Sequence, residues 1–211
     1  MNPFTKIQPI PIKNLPQNWI VVGDPIRARD IAHKHFKSPQ APAYSDGYTS
    51  IWICRAKSIT FGIMSAGMGS SSVRYSLSRV PVQTVVRIGT CGYHDPECEF
   101  KIVNCNICYN DSTEVIHGIT HAELRNVSCL STDLLYHKRE ITTEVEDMES
   151  YTVLKYFNNS ASLLYCVNRI YVNADLRYAN DVFYPIADYA IDIIKDFNKG
   201  VYHAITSERA N

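Results

Sequence analysis

Three glycine turns, each following a strand-like run, gather the residue types that hold a small anion. The first is Val21-Val-Gly-Asp-Pro-Ile-Arg27. Gly23 lets the backbone approach a ligand, and a helix opened by Pro25 offers unpaired N–H donors. Arg27 lies one turn inside, able to grip the same anion with two N–H groups. The same residues also suit an ordinary strand–turn–helix with a surface arginine. The second turn, Ser65-Ala-Gly-Met-Gly-Ser-Ser-Ser72, aims backbone N–H groups and hydroxyls at a polar ligand, with Met68 offering a soft apolar face to a sugar or base. Its spacing is not the G-x-G-x-x-G of a dinucleotide site. The third, Val85-Val-Arg-Ile-Gly-Thr-Cys-Gly92, puts Arg87 inside an apolar strand. A buried arginine demands an anion or a carboxylate partner. Thr90, between Gly89 and Gly92, adds a hydroxyl at the strand's carboxyl end, where open α/β sheets bind ligands. Together the three turns point to a phosphate-sized anion.

Two acidic features extend this chemistry. Glu146-Asp-Met-Glu149 opens a predicted helix, where carboxylates complement the macrodipole or hold sugar hydroxyls. Asp175 follows the apolar run ending at Val172 and suits either a general acid or a turn. The seven cysteines are odd in number and scattered, as in a reduced, cytoplasmic protein. Cys105-x-x-Cys108 is half of a zinc pattern whose other half is missing from the sequence. The thiols are therefore read as small buried hydrophobes on strands, with no metal site.

These residues need a scaffold. Strands are predicted over Trp19–Val22, Ser50–Cys54, Ile59–Ser65, Thr84–Ile88, Phe100–Cys108 and Leu163–Asn173. Several are continuous β-branched or aromatic runs, as strands covered on both faces require. Helices are predicted over Pro25–Phe36, Ser71–Arg79, Asp147–Phe157 and Asp181–Asn198, with Asp24 capping the first and Gly200 ending the last. Strands mixed with helices imply an α/β sandwich around one largely buried sheet. The 211 residues form a single domain, 1–211. With 21 Lys+Arg against 21 Asp+Glu, the chain lacks the basic excess of a dedicated nucleic-acid binder. No apolar run reaches the length of a membrane span, and Met1–Gln17 has no signal-like apolar core.

With those motifs in hand, the sequence resembles the nucleoside phosphorylase family that includes bacterial hexameric purine nucleoside phosphorylase and uridine phosphorylase. Gly23-Asp-Pro-Ile-Arg27 resembles its G-D-P-x-R turn, and Gly67-Met-Gly69 its G-M-G turn. Arg87-Ile-Gly-Thr-Cys-Gly92 is similar to R-x-G-S/T-C-G, and Ser131-Thr-Asp-Leu-Leu-Tyr136 to S-A-D-x-F-Y. Asp147-Met-Glu149 resembles the E-M-E ribose motif, and Asn173-Ala-Asp175 falls where the family has its catalytic aspartate. The resemblance implies a three-layer α/β/α sandwich around a mixed central sheet. It implies phosphate binding by Gly23, Arg27, Arg87 and Thr90. Met68, Leu135, Met148 and Glu149 would line the ribose and base, and Asp175 would protonate the leaving base. The implied activity is phosphorolysis of a purine nucleoside in a homo-oligomer, either a dimer or a trimer of dimers. Inorganic phosphate would be the co-substrate, with no cofactor. Leu135 stands in place of a stacking aromatic, and the segment after Asp175 is shorter than the family's lid. These departures carry a second expectation, a nucleoside-binding, storage or assembly protein with impaired catalysis.

Overall fold

The computed structural model describes residues 7–99, 101–110, 114–133, 143–167 and 180–200. Its strands are β1 (Asn18–Val22), β2 (Tyr44–Ser45), β3 (Ser50–Ala56), β4 (Ile59–Ser65), β5 (Thr84–Tyr93), β6 (Ile102–Tyr109), β7 (Val115–His117), β8 (Arg125–Ser131), β9 (Val145–Asp147) and β10 (Ser160–Val167). The helices are α1 (Pro25–Asp30), α2 (Ser70–Leu77), α3 (Ser150–Tyr156) and α4 (Phe183–Asn198). A π-helical turn, Ile31–His35, continues α1.

All the described strands belong to one mixed sheet. β1 lies between β4 and β5, parallel to both, and β5 is also parallel to β10. From β10 the sheet turns through antiparallel β6 to parallel β8 and β9, and β9 returns antiparallel to β5. β5, β10, β6, β8 and β9 thus close into a barrel, while β1, β4, β3 and β2 extend as an open wing. The α/β class and the mixed sheet match the expectation from sequence. The closure is an addition that a layered sandwich does not contain.

Strand alternation sorts the core. On β1, Ile20 and Val22 join α1, α4 and the inner positions of β5, including Val86 and Ile88. Trp19 and Val21 join α2 and α3 on the opposite face. Burial of both faces explains why β1 reads as an unbroken apolar run. Six of the seven cysteines line a third cluster, the barrel interior, with Val103, Val127, Val145, Leu154 and Leu164.

Local chemistry fixes the helix ends. Pro25 stands in the first turn of α1, and Asp24 accepts the Ile26 N–H at 2.8 Å. On α4, Phe183, Ile186, Ala187, Ala190, Ile191, Ile193, Ile194 and Phe197 are buried at three- and four-residue spacing. Gly200 ends it at φ +78°, a conformation other residues adopt at a cost. The helix predicted from Asp147 begins instead at Ser150. Val145–Asp147 pairs with β5 and β8, so Glu146 and Asp147 are strand residues and buried.

Candidate functional site

The parallel strands β1, β4, β5 and β10 point their carboxyl ends the same way, so the turns that follow β1 and β4 lie side by side. The Gly67 N–H donates to the Gly23 carbonyl at 3.1 Å, and the Ala66 N–H to Val22 at 2.9 Å. A Cβ at Gly23 would stand 3.3 Å from the Gly67 carbonyl oxygen, so a bare glycine allows this close approach. Val21 is in register with Arg87, which puts the third motif beside the first two.

Arg87 is buried and meets protein carboxylates. Its Nη1 lies 3.0 Å from Asp147 Oδ2, and its Nη2 donates to Glu149 Oε2. Burial alone would lower its pKa; Asp147 and then Glu149 outweigh burial and hold it above the ordinary arginine value. Gly89, two residues along the same face, makes room: a Cβ there would stand 2.1 Å from Arg87 Nη1. Asp147 is anchored in turn. It accepts the Ser150 N–H at 3.1 Å and the Ser150 hydroxyl, which is 2.7 Å from the Ser162 hydroxyl.

Glu149 joins two of the motifs. One oxygen meets Arg87, and the other accepts the Gly69 N–H at 2.6 Å. Gly69 is at φ +87° and Gly67 at φ +75°, so this turn depends on glycine at both positions. The Met148 carbonyl accepts the Ser70 hydroxyl at 3.0 Å. Met68, at the tip between the glycines, is 77% exposed and turned to solvent. The structure therefore brings Gly23, Met68, Arg87, Met148 and Glu149 into one crevice.

Arg27 and Thr90 belong to the other face. The Arg27 guanidinium lies 3.9 Å over the Phe183 ring of α4. Thr90 alternates with Arg87 on β5 and shares the face of Val86 and Ile88, which pack with α1 and α4. Leu135 and Asp175 lie outside the described residues.

Sequence reasoning did not single out three further polar residues. Asp133 accepts the Ser70 N–H at 3.1 Å, at the start of α2. His94 Nε2 lies 3.3 Å from Glu146 Oε2, at the joint of β5 and β9. Arg79, buried at the end of the α2 segment, pairs with Asp46 at 2.6 Å and the Tyr44 hydroxyl at 2.8 Å. An arginine inside an apolar strand signals burial, whereas Arg79 follows a helix and carries no such signal. A separate open groove, lined by Lys101, Glu123, Arg125, Tyr165 and Pro185 among others, shares none of the crevice residues.

In chemical terms, the crevice offers one guanidinium, a carboxylate shared between that guanidinium and a backbone N–H, and a glycine-opened backbone. No protein-family model matches the sequence, and no curated protein matches it. Among solved structures, the chain is similar to purine nucleoside phosphorylase from Toxoplasma gondii in complex with immucillin-H. The TM-score is 0.69 at 13% identity, over 83% of this chain and 90% of that chain. The fold is that of a nucleoside phosphorylase. At this identity the likeness speaks for the architecture, and the residues must carry the chemistry. Among the described residues, no helix is long and apolar enough to cross a membrane.

Proposed function

We propose that the protein cleaves the N-glycosidic bond of a purine nucleoside by phosphorolysis, giving the free base and ribose 1-phosphate. The observation that carries this reading is Glu149, held between Arg87 and the Gly69 N–H at the carboxyl ends of parallel strands. A carboxylate so placed can exchange its protein donors for two ribose hydroxyls. Arg87, with the Gly23 backbone, then meets inorganic phosphate, whereas Arg27 and Thr90, which the sequence pattern also assigned to phosphate, lie on the other face of the sheet. Cleavage builds oxocarbenium-like positive charge on the sugar, and a fixed phosphate both stabilises that charge and attacks it. Met68 and Met148 flank the sugar, Leu135 lines the base, and Asp175 protonates the leaving base.

The reading extends to the whole chain: one domain, acting in the cytoplasm as a homo-oligomer, either a dimer or a trimer of dimers. It needs no cofactor beyond phosphate as co-substrate. Sedimentation velocity reads the assembly. The activity test is base release from inosine, adenosine and uridine, with and without phosphate. Release that needs phosphate and favours the purines supports the proposal, whereas release without phosphate would sink phosphorolysis.

A second reading is nucleoside binding without turnover. It is favoured by the two carboxylates on Arg87, which leave the crevice net negative where phosphate would bind. Calorimetry separates the two: tight nucleoside binding with no base released in either buffer selects the second.

A further inference from the structure

We infer that Cys105, Cys108 and Cys129 form a binding site for a soft, sulfur-seeking metal ion, Cu(I) ahead of Zn2+, inside the closed barrel. The three Sγ atoms lie within 4.8 Å of one another, and all three residues are fully buried. Strand alternation by itself would turn residues three apart to opposite faces. A bulge prevents this: Cys105 is in register with Val127 and Ile107 with Ser128, so Asn106 is the extra residue. Beyond it Cys108 turns inward, directly in register with Cys129 of the parallel neighbour. The bulge is braced from outside, where the Gly118 N–H donates to the Asn106 carbonyl at 2.8 Å. A Cβ at Gly118 would stand 2.2 Å from the Cys105 carbonyl oxygen. The C-x-x-C pair thus gains the third thiol that the linear sequence withholds.

The donor set selects the ion. Asp147 Oδ1 lies 3.5 Å from Cys129 Sγ, but among the described residues no fourth donor converges with all three thiols. Such a set suits a three-coordinate soft ion, whereas structural zinc asks for four ligands and hard cations ask for oxygen. Sulfurs at ~2.3 Å from a central ion stand ~4 Å apart, compatible with three Sγ atoms that all lie within 4.8 Å of one another. Binding exchanges S–H protons for the ion; the protons pass to buffer and no electron is transferred. No other three thiols converge in this way among the described residues, and Cys98 instead groups with the carboxylates Asp95 and Glu144. Cys91 and Cys166 are a pair at 3.4 Å, and Cys54 packs in the cluster of α1 and α4.

The test uses the full chain under argon with a non-thiol reductant. It is titrated with Cu(I) against bicinchoninate, and in parallel with Zn2+. The expected result is one tightly held copper per chain with three sulfur neighbours by X-ray absorption, and at least a tenfold loss of affinity in Cys129→Ser. Cys105→Ala gives the same loss by a substitution that keeps a small apolar side chain, and Cys166→Ser leaves binding unchanged; circular dichroism checks each fold. Absence of stoichiometric uptake, undiminished binding in both cluster variants, an equal loss in Cys166→Ser, or tighter four-donor zinc binding would overturn it.

Discussion

At the scale of single residues, the crevice is governed by how Arg87 divides its charge. Asp147 is its inner partner, fully buried and locked by Ser150, while Glu149 reaches across to Gly69. Replacing Glu149 by Gln keeps an oxygen for the Gly69 N–H and leaves Asp147 to neutralise Arg87. It removes the negative charge that competes with phosphate. Glu149→Gln is therefore expected to bind phosphate about tenfold more tightly, a gain of about 1.4 kcal/mol, while nucleoside turnover falls at least tenfold. Calorimetry with phosphate and the base-release assay check the two halves, and weaker phosphate binding would contradict the assignment. Asp46 gives a second residue-scale prediction. Burial pushes its pKa up, but the Thr49 N–H, the Arg79 guanidinium, the Tyr48 N–H and the Tyr44 hydroxyl together hold it well below the usual carboxylate range. The folded chain then takes up that proton less readily than the unfolded chain, whose aspartates titrate near ~3.9. Its stabilisation is fully present above that pH and is lost as pH falls towards the folded-state pKa. Urea midpoints of the wild type and Asp46→Asn should differ above about pH 5 and converge in stronger acid. A constant difference across the range would rule this out.

At the scale of elements, the β3–β4 hairpin turns on two residues, Lys57 at φ +48° and Ser58 at φ +73°. Both occupy the left-handed region, where side chains other than glycine and asparagine are strained. Both are exposed, so Ser58→Gly relieves strain without disturbing a buried contact. The hairpin is expected to gain about 0.5–1 kcal/mol, part of the relief being offset by glycine's greater freedom in the unfolded chain. Urea unfolding reads the gain, and a loss of stability would show that the turn is not strained. The hairpin's strands were legible in advance because their apolar residues are continuous. The carboxyl end of β5 and the whole of β8 and β9 were not. β5 runs on through Gly89 and Gly92 to Tyr93, against glycine's poor strand propensity, because β10 and β9 pair along that stretch. β8 turns Val127, Cys129 and Ser131 inward, an alternation too mixed in polarity to stand out. The same gap hid the partner of Arg87. The need for an anion or carboxylate was readable from an arginine in an apolar strand. That Asp147 supplies the carboxylate depends on β9 pairing beside Gly92, a long-range contact with no local mark. The helix boundary at Ser150 was missed for the same reason.

At the scale of the whole molecule, the neutral balance of 21 basic and 21 acidic residues is repeated locally. Arg79, Arg87 and Arg125 each meet carboxylates within the fold, so these three guanidinium groups are neutralised locally rather than offered to a polyanion. The thiols show a matching division between outside and inside. All seven cysteines are buried, six of them in the barrel interior. Burial pushes the Cys54 and Cys98 thiols up to about 11, leaving only about 0.1% thiolate at pH 8. Cys105 is the opposite case. Hydrogen bonding within the cluster, with Cys108 and then Cys129, draws its pKa down to about 6, against the effect of burial. If chemistry alone set reactivity, Cys105 would label first and fast. If access sets it, no thiol labels fast, because reagent must wait for the barrel to open. Among the described strands, the closed ring of β5, β10, β6, β8 and β9 leaves no unpaired edge through which to open cheaply, so access is expected to govern. With a chromogenic disulfide reagent at pH 8, the native chain should show no fast-reacting thiol and the denatured chain seven. The native rate should rise with urea, tracking the opening equilibrium. A single fast thiol in the native chain, mapped to Cys105, would show that the barrel interior is open to solvent.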